Sequence, residues 1–182
     1  IDNDYVLSYL EKRKGMLDAV VITGGEPTLQ HDLVPFIQQV KSKGYLVKLD
    51  SNGTNPQLLK ELVEQGLVDY IAMDVKAPLE KYGFITGSDE HLPAIKESIN
   101  FLLKDTVDYE FRTTFAPSLT AEDILTLATE IKGAKRYFLQ QYRPLDFQQE
   151  GIIPLNRKPH PPQLLRDTCS RVREILGVCE VR

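Results

Sequence analysis

Short runs of apolar, often β-branched residues recur along this chain, and between them lie stretches with helical periodicity. That alternation admits few folds. Ala19-Val20-Val21-Ile22-Thr23 is almost wholly apolar, the pattern of a strand buried on both faces. Tyr45–Leu49, Tyr70–Val75, Asp108–Phe115 and Arg136–Gln141 read as further strands, and Val178–Val181 as a short closing one. The first helix is expected from Asn3 to Lys14, stopping at Gly15. Leu33, Phe36, Ile37 and Val40 line one face of the next, closed by Gly44. Asn55 followed by Pro56 is an N-cap and first-turn pair for a helix carrying Leu58, Leu59, Leu62 and Val63. Leu92, Ile95, Ile99 and Leu102 mark another, and Thr120 caps one built on Ile124, Leu127, Ala128 and Ile131. Leu165, Cys169, Val172 and Leu176 mark the last. Pro78–His91 and Tyr142–Pro162 read as functional loops.

Strands joined through helical crossovers pair in parallel. Two α/β architectures satisfy the pattern: an open doubly wound sheet and a (β/α) barrel. The open sheet usually carries a G-x-G-x-x-G loop after its first strand, and none is present. A (β/α)8 barrel spends about 30 residues on each unit, so 182 residues supply about six units. A partial TIM-like barrel forming one domain over 1–182 is therefore expected, lacking its first strand.

Lys and Arg number 22 against 26 Asp and Glu, a net charge of −4, which argues against a surface devoted to nucleic acid or anionic membrane. No apolar run approaches the ~20 residues of a membrane span. Two cysteines make no disulfide framework, which points to a reducing cytoplasm.

Parallel α/β folds place their ligands at the C-terminal ends of the strands. There the sequence sets Thr23-Gly24-Gly25-Glu26-Pro27-Thr28, then Leu49-Asp50-Ser51-Asn52-Gly53-Thr54, then Met73-Asp74-Val75-Lys76. Arg112-Thr113-Thr114 and Gln140-Gln141-Tyr142-Arg143 belong to the fourth and fifth strands. Glu26, Asp50 and Asp74 follow one another at 24-residue intervals, one β-α unit apart, so polar groups are expected to share one rim. Bare glycines admit a ligand to the backbone, and a carboxylate accepts from an ammonium group; a tight turn alone would also use Gly24-Gly25. Asn52-Gly53 is an ordinary turn dipeptide. An acid ending a buried strand, as Asp50 does, needs a cation or a hydroxyl. Asp74 and Lys76, two residues apart on one strand face, are either functional or simply neutralise each other.

Together these motifs resemble the radical S-adenosylmethionine (radical SAM) family, and within it the activating enzymes of glycyl radical enzymes. Ile22 to Gln30, Leu49 to Thr54 and Asp74-Val75-Lys76 carry the resemblance, which extends through Tyr82 to Gly87, Arg112 to Thr114 and Gln140 to Pro144. It implies that Gly24, Gly25 and Glu26 hold the amino group of SAM. Asp50, Ser51 and Asn52 would lie along its ribose and methionine, with Asp50 and Ser51 also holding a monovalent cation. Asp74 and Lys76 would reach SAM and the peptide substrate as the catalytic pair, and Arg112 would approach the SAM carboxylate. Gln141 would join the cofactor site, where Arg143 stands in place of a histidine found in some relatives. The implied chemistry uses a [4Fe–4S] cluster and SAM to make a 5′-deoxyadenosyl radical. The implied partners are a glycyl radical enzyme of the pyruvate formate-lyase or anaerobic ribonucleotide reductase type and a flavodoxin or ferredoxin donor.

The family's cluster needs three cysteines in a C-x3-C-x-x-C loop, and this sequence has only Cys169 and Cys179, both in apolar settings. The chain begins at Ile1 rather than Met, which suggests that the first strand and cluster loop lie upstream. These 182 residues are then expected to hold no cluster and perform no radical chemistry. Two other readings are a barrel lyase or aldolase using Lys76 as a Schiff-base amine, and a scaffold that lost the cysteines. His31, His91 and His160 read as surface or turn residues, and Lys41 and Lys43 as part of a solvated helix face.

Overall fold

A computed structural model of the protein describes residues 2–144 and 158–182. Among the described residues there are six strands, β1 (Ala19–Ile22), β2 (Leu46–Ser51), β3 (Tyr70–Asp74), β4 (Asp108–Phe115), β5 (Tyr137–Gln141) and β6 (Glu180–Val181). The same described residues form seven α-helices, α1 (Asn3–Lys12), α2 (Leu33–Ser42), α3 (Pro56–Glu64), α4 (Tyr82–Thr86), α5 (Leu92–Leu102), α6 (Ala121–Glu130) and α7 (Pro162–Leu176). The chain divides into two compact units, 1–74 with 91–109, and 75–90 with 110–182. Within each unit the strands pair in chain order, without the reversal that marks the switch point of a doubly wound sheet.

In the first unit β1, β2 and β3 pair in parallel, Ile22 opposite Leu49 and Asp50 opposite Ala72. Val47, Leu49, Ile71 and Met73 are fully buried beneath the crossover helices, where Ile37, Val40, Leu59 and Leu62 fill the core. The Asn55-Pro56 signal holds: Asn55 Oδ1 accepts the Leu58 N–H at 3.3 Å and Pro56 occupies the first turn of α3. Asp69, at the opposite end of the sheet from the motifs, accepts Lys41 Nζ at 2.7 and 2.8 Å and the Val47 N–H at 2.7 Å.

Several expectations change here. β1 is not buried on both faces: among the described residues it pairs with β2 alone, and Val21 is 54% exposed. Lys41 and Lys43 are not merely solvated, since Lys41 is clasped by Asp69 and Lys43 reaches Glu11 at 2.8 Å. β2 runs past the expected Leu49 to Ser51, so Ser51 rather than Asp50 ends the strand. α1 stops at Lys12, short of the expected Lys14.

In the second unit β4, β5 and β6 are parallel, with Thr113 opposite Leu139 and Phe138 opposite Glu180. Thr120 closes a capping box with Asp123, and α6 packs with α7; Ile124 and Leu127 of the one and Leu165 and Val172 of the other are fully buried. The expected polar loop Pro78–His91 contains a 3-10 turn (Leu79–Lys81) and α4. Both Glu130 oxygens accept the Leu79 N–H, at 3.0 and 3.1 Å, and Lys81 Nζ donates to Asp123 at 2.6 Å, fastening this segment to α6. Most of the Tyr142–Pro162 stretch lies outside the described residues.

Candidate functional site

The loop leaving β1 is bare backbone. Gly24 has φ +142°, a conformation that favours glycine, whereas Gly25 has no such constraint. A Cβ built on either would meet nothing within 4 Å. The absence of a side chain at Gly25 thus serves no packing need within the unit, and its backbone is open to a ligand. Both glycines border a cavity of about 480 Å3, also lined by Ile22, Glu26, Leu33 and Phe36. That volume falls within the ~300–1,000 Å3 of small-molecule sites.

Glu26 borders the same cavity but is only 9% exposed, and its carboxylate accepts from several of the chain's own donors. Oε1 accepts the Thr28 hydroxyl at 2.6 Å, the Thr28 N–H at 3.2 Å and the Ser51 hydroxyl at 3.0 Å; Oε2 accepts the Asn52 N–H at 2.6 Å. A carboxylate has about four acceptor positions, two on each oxygen, so Oε1 is saturated while Oε2 keeps one open. Pro27, buried behind it, starts a 3-10 turn (Pro27–Leu29) that Glu26 caps. Glu26 therefore ties the loop after β1 to the end of β2.

The turn after β2 is equally determined. Gly53 has φ +76°, and a Cβ there would run into Met73 Cε, so the Asn52-Gly53 turn serves close packing as well as backbone shape. Ser98 Oγ donates to the Gly53 carbonyl at 2.7 Å, and Asn52 Oδ1 accepts the Thr54 N–H and hydroxyl. Asp50 lies beside Lys48, whose Nζ is 3.6 Å from its Oδ1. Asp74 is the last residue of β3, half-buried at the same strand end.

The second unit carries the remaining candidates. Lys76 is exposed, and its backbone N–H donates to Tyr82 Oη at 3.3 Å. The Val75 N–H donates to the Arg112 carbonyl at 2.9 Å, and Thr113 Oγ1 donates to the Val75 carbonyl at 2.7 Å. Gln141 ends β5, and its Nε2 donates to the His160 carbonyl at 3.2 Å. Arg143 is exposed just beyond.

His160 is not the surface or turn residue expected. Its ring packs on Phe115 with centroids 4.2 Å apart, and Nε2 lies 3.2 and 2.9 Å from the Ala116 and Leu119 carbonyls. Both carbonyls are acceptors, which places a proton on Nε2.

So the structure gathers Gly24, Gly25, Glu26, Ser51 and Asn52 in the first unit, and holds Lys76, Arg112, Gln141 and Arg143 on the second. Two participants escaped sequence reasoning. Thr28 was quoted in its motif but given no role. Lys48 was readable from strand alternation, because it shares a face of β2 with Asp50.

The donor set does not suit an iron–sulfur cluster. The two cysteines of the sequence are both buried in the second unit, on α7 and just before β6, and three thiolates would be needed. Among the described residues no group of three His, Cys, Asp or Glu is placed to hold a metal ion.

The family model of the radical SAM superfamily matches residues 2–131. The chain belongs to this superfamily. A Methanocaldococcus jannaschii protein that bears the provisional name of a glycyl-radical enzyme activating enzyme is 40% identical over 139 residues, covering 73% of this chain and 58% of that protein. The 7-carboxy-7-deazaguanine synthase of Koribacter versatilis is 39% identical over 101 residues, covering 53% of this chain and 41% of that enzyme. The chain thus spans less than three fifths of the length of these two relatives. Among solved structures, a domain of a pyruvate-formate lyase-activating enzyme from Bacteroides vulgatus shares the fold with TM-score 0.64 at 17% identity, over 91% of this chain and 99% of that one. Streptococcus suis SuiB bound to S-adenosylmethionine gives TM-score 0.75 at 14% identity, over 100% of this chain and 44% of that one. The fold class is accordingly the partial TIM-like (β/α) barrel of the superfamily.

Proposed function

We propose that this chain is the SAM-binding core of an activase that installs a glycyl radical on a partner enzyme of the pyruvate formate-lyase or anaerobic ribonucleotide reductase type. The observation that carries the reading is the 40% identity, over 139 residues, to the archaeal protein of that name. The open glycine backbone beside a cavity of suitable size supports it independently.

In this reading Gly24, Gly25 and Glu26 receive the amino group of SAM, the Glu26 carboxylate also holding that backbone in place through its bonds to Thr28, Ser51 and Asn52. Asp50, Ser51 and Asn52 border the ribose and methionine, Arg112 and Gln141 meet the polar end of the cofactor, and Arg143 stands where some relatives carry a histidine. Asp74 and Lys76 serve the cofactor and the peptide of the partner. SAM, when bound, supplies the adenosyl group and the sulfonium whose C–S bond is broken in superfamily chemistry. A cluster would need thiolates that these 182 residues do not contain, so this chain binds SAM without cleaving it. The electron donor assigned by this reading is a flavodoxin or ferredoxin, and the compartment is the reducing cytoplasm. Among the described residues no helix is long and apolar enough to cross a membrane.

Calorimetric titration of the chain with SAM tests the core of the reading: saturable binding is expected, and its absence would overturn it. The activase step is tested with a version carrying the cluster cysteines, reduced and mixed with SAM and a glycyl radical enzyme. A glycine-centred electron paramagnetic resonance doublet on the partner is expected. Turnover of a small molecule without any protein radical would instead favour a synthase like the deazaguanine relatives. The Schiff-base alternative asks for a desolvated amine, whereas Lys76 is exposed. Borohydride trapping of a carbonyl compound on Lys76 would revive it.

A further inference from the structure

Side chains along β2 alternate between the two faces of the sheet. This separates the two residues that the resemblance names as joint holders of a monovalent cation. Ser51 faces Glu26: its hydroxyl donates to Glu26 Oε1 at 3.0 Å, and its oxygen accepts the Gly53 N–H at 3.0 Å. Asp50 is on the opposite face, with Lys48 two residues before it. There Lys48 Nζ lies 3.6 Å from Asp50 Oδ1 and 5.5 Å from the centroid of the Tyr70 ring. Tyr70 is the residue opposite Lys48 on β3, so the sheet register itself sets the ring beneath the ammonium. The side chains of Lys48 and Asp50 are 27% and 16% exposed.

A small cation beside Asp50 would draw its binding energy from that carboxylate and from oxygen ligands that replace its water. Here an ammonium already stands at ion-pair distance, with the face of an aromatic ring adding attraction for a positive charge. Two like charges held by one partly buried carboxylate repel each other. The Ser51 hydroxyl is turned away and engaged by Glu26 and Gly53.

We propose that Lys48 is the resident cation of this corner of the site. Its ammonium supplies, from the chain itself, the positive charge that a bound sodium or potassium ion would otherwise bring to Asp50. The protein therefore neither binds nor needs an alkali cation there. The consequence for the cofactor rests on the SAM reading above: Lys48 is then a positioning residue that holds Asp50, and SAM affinity does not depend on which alkali cation is present.

The test uses thermal unfolding and sodium NMR relaxation of the 182-residue chain in choline, sodium and potassium chloride at equal ionic strength. For the unsubstituted protein the melting temperature is expected to be the same in all three salts, with no protein-induced broadening of the sodium line. Lys48→Met, which keeps the length and loses the charge, is expected to melt several degrees lower in choline. It should recover much of that loss in sodium or potassium and broaden the sodium line. Lys48→Met with Asp50→Asn should lose both responses. Sodium broadening by the unsubstituted protein, or a Lys48→Met protein indifferent to the salt, would overturn the proposal. Should Lys48→Met fail to fold, the sodium relaxation of the unsubstituted protein decides alone. SAM titrated in the three salts is expected to bind equally, and a strong salt preference would count against Lys48. A complete absence of SAM binding would sink the cofactor reading and leave the Lys48 result intact, because neither melting nor sodium relaxation involves SAM.

Discussion

The Ser51 hydroxyl donates to Glu26 Oε1 at 3.0 Å, joining residues 25 apart and tying the loop after β1 to the end of β2. With Thr28 and the Asn52 N–H also bound to this carboxylate, the group that looks most like a ligand for a cationic cofactor is at the same time a keystone of its own loop. Glu26→Ala leaves several donors facing a buried gap, and a charged acceptor contributes more than a neutral one, so a loss of about 3 kcal/mol is expected. Ser51→Ala should cost about 1 kcal/mol. Urea unfolding of both and of the double variant measures the coupling. Strict additivity would show that the hydrogen bond contributes nothing.

Gly53→Ala is expected to be much more damaging than Gly66→Ala, although both glycines have positive φ, +76° and +64°. At Gly66 a Cβ meets nothing within 4 Å, so the cost is that of backbone conformation, about 1 kcal/mol. At Gly53 the new methyl collides with Met73 Cε and lies 3.3 Å from Ser98 Cβ, and Met73 is fully buried with little room to swing away. A total near 2–3 kcal/mol follows from adding the overpacking penalty. Denaturant midpoints for the two variants check the difference, and equal losses would show that Met73 yields freely.

What could be read from the sequence was what depends on neighbours along the chain. The Asn55-Pro56 and Thr120 helix starts, the parallel strand runs and the position of Glu26 after β1 all rest on local spacing, and each is found where expected. Misread features depend on residues far away. Lys41 looks like a solvated charge until Asp69, 28 positions on, clasps it. His160 looks like a turn histidine until the carbonyls of Ala116 and Leu119 receive its ring nitrogen. Val21 sits in a run apolar enough for a central strand, yet it is 54% exposed where β1, among the described residues, pairs with β2 alone, a matter of distant neighbours that no local pattern encodes. Lys48 and Asp50, two residues apart on one strand, share a face by simple alternation, and they stand as an ion pair there.

Asp123 gives the fold an acid-sensitive joint. Burial raises its pKa, but hydrogen bonds from Lys81 and from the Thr120 N–H and hydroxyl outweigh burial and leave it below the ordinary aspartate value. A carboxyl with a depressed folded-state pKa stabilises the fold fully above its unfolded-state value. That contribution disappears as pH falls through the folded one. Thermal melts from neutral to acid pH should therefore show Asp123→Asn less stable than the parent at neutral pH, by about 1 kcal/mol for the cap. The gap should close in acid. A gap independent of pH would remove the carboxylate's charge from the account.

Cys169 and Cys179 are 1% and 2% exposed, and burial is the largest influence raising the Cys179 thiol pKa well above its ordinary value. A neutral, enclosed thiol is a poor nucleophile and a poor metal ligand. Native protein should leave both thiols unmodified by a chromogenic disulfide reagent, and denaturant should release two equivalents, the full cysteine content of the sequence. For the same reason anaerobic incubation with iron and sulfide should yield no stoichiometric four-iron cluster on this chain, by iron analysis and by visible absorption. Rapid labelling of the native protein would show that the unit around α7 opens readily. A full complement of four irons would contradict the ligand count itself.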